Sequence, residues 1–220
     1  ISEGHQINEL LALDDSKNAM SDDGSYLVIN DLKKFPKVRA INLIRWWLSF
    51  NKLLMPSKKY IDELYNQVVF IKKDTSLNLQ ISKEASIRAH NNKLFIINLN
   101  IKPDTFDLKW SGQEELNLPN KTKLQFIKIK EGGLSLSKLG VKTLNVKSRV
   151  GGEKLKPFSD QPSRNLKYLF QGADIPIWER DQVPLIFAKN ELVAVPNIAV
   201  HHKYQSSIGE EGYQINWLSG

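Results

Sequence analysis

The sequence predicts an α+β protein: an N-terminal helical domain with a β-hairpin, linked to a small β-rich, sandwich- or barrel-like domain that carries one short helix. Three observations carry that prediction. Apolar residues recur at helical spacing up to about residue 73, as in Val38, Ile41, Ile44, Trp47 and Leu48. From Asp74 the period changes to the alternation of Leu77, Leu79 and Ile81. Past Arg180 the chain is a series of short β-rich runs separated by turn residues. The domains are expected at 1–110 and 143–220, with 111–142 as a linker and connecting strands.

Taken in order, Ile7, Leu10, Leu11 and Leu13 give a short amphipathic stretch that Ser21-Asp22-Asp23-Gly24-Ser25 breaks. Pro36 suits the first turn of the next helix, where its missing N–H costs nothing. Asn51 to Pro56 ends that helix, and Ser57 is placed to cap another bearing Ile61, Leu64, Tyr65, Val68 and Val69. Ala85–Ala89 and Lys93–Leu99 flank His90-Asn91-Asn92, a hairpin turn by composition because Asn tolerates positive φ. Residues 102–122, with Pro103, Gly112 and Pro119, read as linker around a short extended piece at Leu116–Leu118. Strand signals resume at Leu124–Ile129 and Leu144–Val146. Ser163 is the expected cap of a helix from Arg164 to Gln171, which Gly172 stops and Pro176 keeps from resuming. The closing strands are Pro184–Ala188, Leu192–Val195, Ile198–Val200 and Tyr213–Trp217.

The composition, 41% hydrophobic and 25% charged over 220 residues, is that of a globular chain. A net charge of +7 and a pI near 9.4 point toward nucleic acid or an anionic surface as partner. The absence of cysteine removes disulfides, zinc ribbons and thiol nucleophiles, and favours a cytoplasmic location. No apolar run approaches the ~20 residues that span a bilayer, so no membrane association is expected. The start, Ile1-Ser2-Glu3-Gly4-His5, has neither the features of a signal peptide nor an initiator Met, so the chain is expected to be a segment of something longer.

Charge is concentrated in two places. Between Lys147 and Gln171 there are six basic residues against two acids, Glu153 and Asp160. From Leu32 to Ile61 there are eight Lys or Arg and no acid, either a solvated helical face or a phosphate-facing one. Chemistry-bearing motifs are missing. The Gly-Gly pairs at 132–133 and 151–152 continue into neither GxxxxGK[ST] nor GxGxxG, and turns are their expected use. Adjacent acids such as Glu114-Glu115 point apart, and His201-His202 lack ligands at metal-binding spacing. No catalytic residue and no metal site is therefore expected. Arg180 is left to pair with Asp181 or to face a ligand.

The run Arg149-x-Gly151-Gly152-Glu153-x-Leu155-x-Pro157, then Ser163-Arg164-x-Leu166-Lys167-x-Leu169-Phe170-Gln171, then Ile175-Pro176-x-Trp178-x-Arg180-Asp181-x-x-Pro184-Leu185 resembles the C-terminal domain of bacterial tRNA(Ile)-lysidine synthetase. Arg39, Ile44-Arg45-Trp46-Trp47-Leu48 and the Met55-Pro56-Ser57 break are similar to that family's middle, substrate-binding domain. The resemblance implies a function: ATP-dependent conversion of the wobble cytidine of an isoleucine tRNA (CAU anticodon) to lysidine. It places that chemistry, with ATP, Mg2+ and L-lysine, in an N-terminal domain whose Ser-Gly-Gly-x-Asp-Ser loop this sequence does not contain. No cofactor is expected in the segment itself, and its role would be to grip tRNA near the acceptor stem. Arg149, Lys154, Lys156, Arg164, Lys167, Arg180, Arg39 and Arg45 are the candidate RNA-binding residues. The C-terminal part is also similar to a domain of the bacterial phenylalanyl-tRNA synthetase β-subunit, and a protein–protein module with an incidental basic face stays open. The oligomeric state is left open as well, a homodimer included.

Overall fold

The computed structural model describes residues 3–71, 77–100 and 104–218, in two compact units that divide between residues 102 and 103. The predicted change of period at Asp74 and the linker residue Pro103 lie outside the described residues.

In the first unit α1 (Glu3–Ala19), β1 (Tyr26–Val28) and α2 (Ile29–Leu32) are followed by α3 (Lys37–Phe50) and α4 (Lys58–Phe70). After these come β2 (Asn78–Gln80), β3 (Ala85–His90) and β4 (Lys93–Asn98). Helix α3 begins directly after Pro36 and buries Ala40, Leu43, Ile44, Trp47 and Leu48, the face its period predicts. The indole N–H of Trp47 donates to the Gly24 carbonyl at 2.8 Å, so the ring is buried with its one polar group satisfied. Ser57 caps α4, its hydroxyl accepting from the Tyr60 amide at 3.3 Å. The β3–β4 turn has Asn91 at φ 47° and Asn92 at φ 61°, as a two-residue hairpin with both central residues left-handed requires.

Two expectations for this unit are corrected. The region up to residue 73 is not wholly helical: Tyr26–Val28 forms β1, paired with Lys93–Phe95 of β4 in a sheet of order β1-β4-β3-β2. Three residues are too few to show a period, and their partner is distant in sequence. Helix α1 buries Ala12, Asp15, Ser16 and Ala19, while Ile7 is 56% and Leu10 67% exposed. Small residues let α1 approach α3 closely, so the apolar stripe expected to face the core is turned to solvent.

The second unit opens with β5 (Asp107–Trp110), β6 (Glu115–Asn117), β7 (Lys123–Ile129), the single-turn α5 (Leu136–Leu139) and β8 (Leu144–Lys147). Then come β9 (Lys154–Leu155), β10 (Arg164–Asn165) and α6 (Leu166–Gly172). It closes with β11 (Leu185–Ala188), β12 (Glu191–Val195), β13 (Ala199–Val200) and β14 (Gly212–Leu218). All pairings are antiparallel, in sheets of order β13-β12-β11-β8-β5, β14-β7-β6 and β10-β9.

The five-stranded sheet is buried on both faces. Ile186 and Ala188 of β11 point into a core with Trp110, Leu124, Phe126 and Ile215, whereas Leu185 and Phe187 point into a second core with Leu155, Leu166 and Phe170. Alternation along one strand thus feeds two layers, which is why Leu185–Ala188 is an unbroken apolar run. The three-stranded sheet covers one face, and the β9–β10 hairpin with α6 covers the other.

The expected linker is also revised. Leu118, Leu124, Phe126 and Leu134 belong to the core of the second unit, and Trp110 stacks on Phe126 with centroids 4.5 Å apart. The predicted boundary at residue 110 therefore moves back to 102/103, and 111–142 is structural body. Its Pro, Gly and Asn residues mark tight turns between strands, not a chain without a core. At Gly133 (φ 75°) a Cβ would come within 2.6 Å of the Tyr213 carbonyl, so a glycine is needed where Leu134 bridges to β14.

Candidate functional site

The basic stretch from Lys147 to Arg180 folds as a loop, a hairpin and a helix on the second face of the five-stranded sheet. Its loop is closed by Glu153, whose carboxylate accepts from the Val150 amide at 2.7 Å and the Gly151 amide at 2.8 Å. Gly151 (φ 107°) and Gly152 (φ 85°) supply the left-handed backbone this turn needs. Burial raises the Glu153 pKa, but the Val150 and Gly151 amides, with Arg149 beside it, outweigh that effect and hold the carboxyl below its ordinary range.

Arg149 is the other half of this lock. Its guanidinium donates to Asp181 at 2.7 Å, lies 3.6 Å from the second Glu153 oxygen, and sits over the Phe170 ring at 5.5 Å. Arg180 donates to the Ile175 carbonyl at 2.9 Å, so of the two roles open to it, pairing with Asp181 is not the one adopted; Arg149 takes that acid. Both arginines hold the scaffold.

Three candidates face solvent. Lys154 stands opposite Asn165 in the β9–β10 ladder, and Arg164 opposite Leu155. Lys154 and Lys167 have no ion-pair partner among the described residues, and both are exposed. The exposed Arg164 guanidinium is steadied by the Gln161 side-chain carbonyl at 2.7 Å. The expected cap is corrected here. Asn165, not Ser163, accepts from the Lys167 amide, at 2.9 Å, and α6 starts two residues later than expected, at Leu166. Arg164 is consequently a strand residue, and it and Lys167 do not share a helix face. Asp174 (φ 60°), beyond the helix, takes the left-handed position expected of Gly172.

Lys156 belongs to a separate group. Its carbonyl accepts from the His202 amide at 2.9 Å. Burial first, and then the charges of His202, Lys203 and Lys156, push the His201 imidazole below its ordinary range, against the pull of Glu191. The exposed Lys203 is thereby brought beside Lys156. The sequence carries no signal of that meeting, because it comes from a backbone bond between segments far apart in the chain. His201 and His202 stack at 4.9 Å, and no group of three or more His, Asp or Glu able to hold a metal occurs among the described residues.

In the first unit three cations of the acid-free run meet acids from outside it. Lys34 pairs with Asp31 at 2.7 Å, Lys37 lies 3.9 Å from Asp62, and Arg39 holds the buried Asp15, its Nε at 3.1 Å. Arg45, six positions after Arg39, projects roughly 120° away around α3. Its Nε is buried without a hydrogen-bond partner among the described residues. The structure does not bring these two candidates together. Lys52, Lys58 and Lys59 stay exposed around the α3–α4 loop.

These features define a class: a two-unit α+β protein that presents exposed cations on a hairpin–helix module over a doubly covered β-sheet. Comparison with known proteins makes the class particular. A family profile described as the TilS substrate binding domain matches residues 27–95, and one described as the TilS substrate C-terminal domain matches residues 144–217. The chain belongs to the tRNA(Ile)-lysidine synthase family, of which it carries these two domains in order. It is 26% identical over 215 residues to the tRNA(Ile)-lysidine synthase of Nitrosomonas europaea, covering 97% of this chain and 46% of the relative. The enzyme of Coxiella burnetii is 27% identical, over 87% of this chain and 42% of the relative. The chain thus spans somewhat less than half the length of these relatives. A crystal structure of the TilS C-terminal domain superposes with a TM-score of 0.42 at 16% identity, over 52% of this chain and 98% of that one. No described helix is long and apolar enough to cross a membrane.

Proposed function

We propose that this chain is the tRNA-binding portion of an ATP-dependent tRNA(Ile)-lysidine synthase, gripping and discriminating the isoleucine tRNA with the CAU anticodon on its acceptor-stem side. The observation that carries the reading is the exposed set Lys154, Arg164 and Lys167 on one hairpin–helix module, in a chain with the family's two domains in order. A-form RNA hides its base edges in a deep major groove, so a protein grips phosphates and 2′-hydroxyls across the shallow groove. Two lysines supply point charges, and Arg164 supplies a planar fork already oriented by Gln161. On this reading adenylation of the wobble cytidine and its displacement by L-lysine, with ATP and Mg2+, belong to a catalytic part of the whole enzyme. This chain by itself neither forms lysidine nor turns over ATP, and it works in the cytoplasm. Lysine incorporation above background by this chain would overturn that division.

A filter-binding series in salt tests the grip. Affinity for tRNA should lie at roughly 1–100 μM at physiological salt and fall steeply as salt rises. Lys154→Ala and Arg164→Ala should each lower the salt slope by about one unit. Arg149→Ala, which removes no exposed cation, should leave the slope unchanged. An unaltered slope in both of the first two variants removes them from the interface. At matched salt the isoleucine tRNA should bind more tightly than the methionine tRNA, and equal binding of bulk RNA would remove the discriminating role.

A further inference from the structure

Two aromatic rings stand out beside the exposed cations. Tyr168 is 63% and Phe158 55% exposed, and every other aromatic residue described in the second unit is at least half-buried. Tyr168 shares the outward half of α6 with Lys167 and Gln171, while Leu166 and Phe170 fill the core beneath. Phe158 is tied to Arg164 by a short relay. The Gln161 amide donates to the Phe158 carbonyl at 3.4 Å, and the Gln161 side chain accepts from Arg164 at 2.7 Å. Among the described residues neither ring packs against another ring or a cation. Phosphate contact alone gives such rings no role, since a charge grip needs only lysines and arginines.

We propose that Tyr168 and Phe158 are stacking platforms for unpaired nucleobases that adjoin the phosphates held by Lys154, Arg164 and Lys167. The inference rests on the RNA-binding reading above and adds a ligand class to the same module: single-stranded nucleotides flanking a duplex. Charge selects this occupant. Of the two acids in this stretch, Glu153 is held by Arg149 and two amides, and the exposed Asp160, two residues from Phe158, is outnumbered by the exposed Lys154, Arg164 and Lys167. A flat ring beside cations suits a base attached to its own phosphate, because every base has a face to stack whatever its sequence.

The test uses the full chain and two RNA hairpins, one blunt and one with a short single-stranded 3′ extension carrying 2-aminopurine. Tyr168→Ala and Phe158→Ala should each weaken the extended hairpin on the order of 10-fold and leave the blunt one unchanged. Neither should alter the salt slope. Tyr168→Phe should keep the affinity, and stacking should quench 2-aminopurine in the native chain but not with Tyr168→Ala. Lys167→Ala should lower the slope for both hairpins. Alanine variants that bind both hairpins like the native chain, with slope losses intact for the cation variants, overturn the stacking role and leave the phosphate grip standing. Salt-independent or absent binding of both hairpins removes the grip, and the stacking role with it.

Discussion

Glu210 ties together two segments that are distant in sequence. Its carboxylate accepts from the hydroxyls of Ser135 at 2.5 Å and Ser137 at 2.6 Å, from the Ser207 amide at 2.9 Å, and lies 3.2 Å from the Lys138 ammonium. Led by the Ser135 and Ser137 bonds, these partners hold its pKa down to about 2. The ordinary glutamate value is about 4.3, so between the two the unfolded chain binds a proton that the folded chain refuses. The stabilisation is complete above the unfolded value and is lost as pH falls through the folded one. Glu210→Gln should therefore melt below the native chain at neutral pH, and the gap should close in acid between roughly pH 5 and pH 2. A gap that is the same at every pH would show that the carboxylate charge is not what holds these segments. Arginines divide on the same principle. Arg149 and Arg39 each pair with an acid, whereas among the described residues Arg164 answers only a neutral amide and keeps its charge available.

At the level of elements, a single residue decides where α6 begins and hence where Arg164 points. Asn165→Ala removes the side-chain acceptor of the Lys167 amide and should cost about 1 kcal/mol, while Ser163→Ala should be nearly silent. Amide hydrogen exchange over Leu166–Gly172 measures both, and a reversed order would restore the earlier helix start. The strands were largely legible because alternation and turn residues are local: Asn91-Asn92, Ser57 and Leu185–Ala188 all fold as their neighbours in sequence dictate. Serine and asparagine two positions apart are both good caps, and sequence alone does not choose between them. Tertiary pairing chooses, since Arg164 and Asn165 are drawn into the ladder with Lys154 and Leu155. The candidate site was legible as a charge run and not as a surface. Which cations are consumed depends on Asp15, Asp62 and Asp181, and only the fold brings those acids in.

For the molecule as a whole, the division at 102/103 makes a claim about what can fold alone. The profile of the C-terminal domain begins at residue 144, close to the boundary expected from sequence. Yet the core above the five-stranded sheet takes Trp110, Leu118, Leu124, Phe126 and Leu134 from the preceding segment. Strand β14 also pairs with β7 along its whole length, from Gly212 opposite Ile129 to Leu218 opposite Lys123. Removing residues before 143 would uncover Ile186, Val193 and Ile215 and strip β14 of its partner. Burial of a large apolar side chain contributes about 1.5–3 kcal/mol, so five such losses rival the ~5–15 kcal/mol that holds a domain folded. Residues 103–220 expressed alone should therefore melt cooperatively with dispersed amide resonances, and residues 143–220 should not. A cooperative transition for 143–220 would mean that the hairpin, α6 and the five-stranded sheet hold together on the Leu155, Leu166 and Phe170 core alone, with the segment from 103 to 142 an accessory layer.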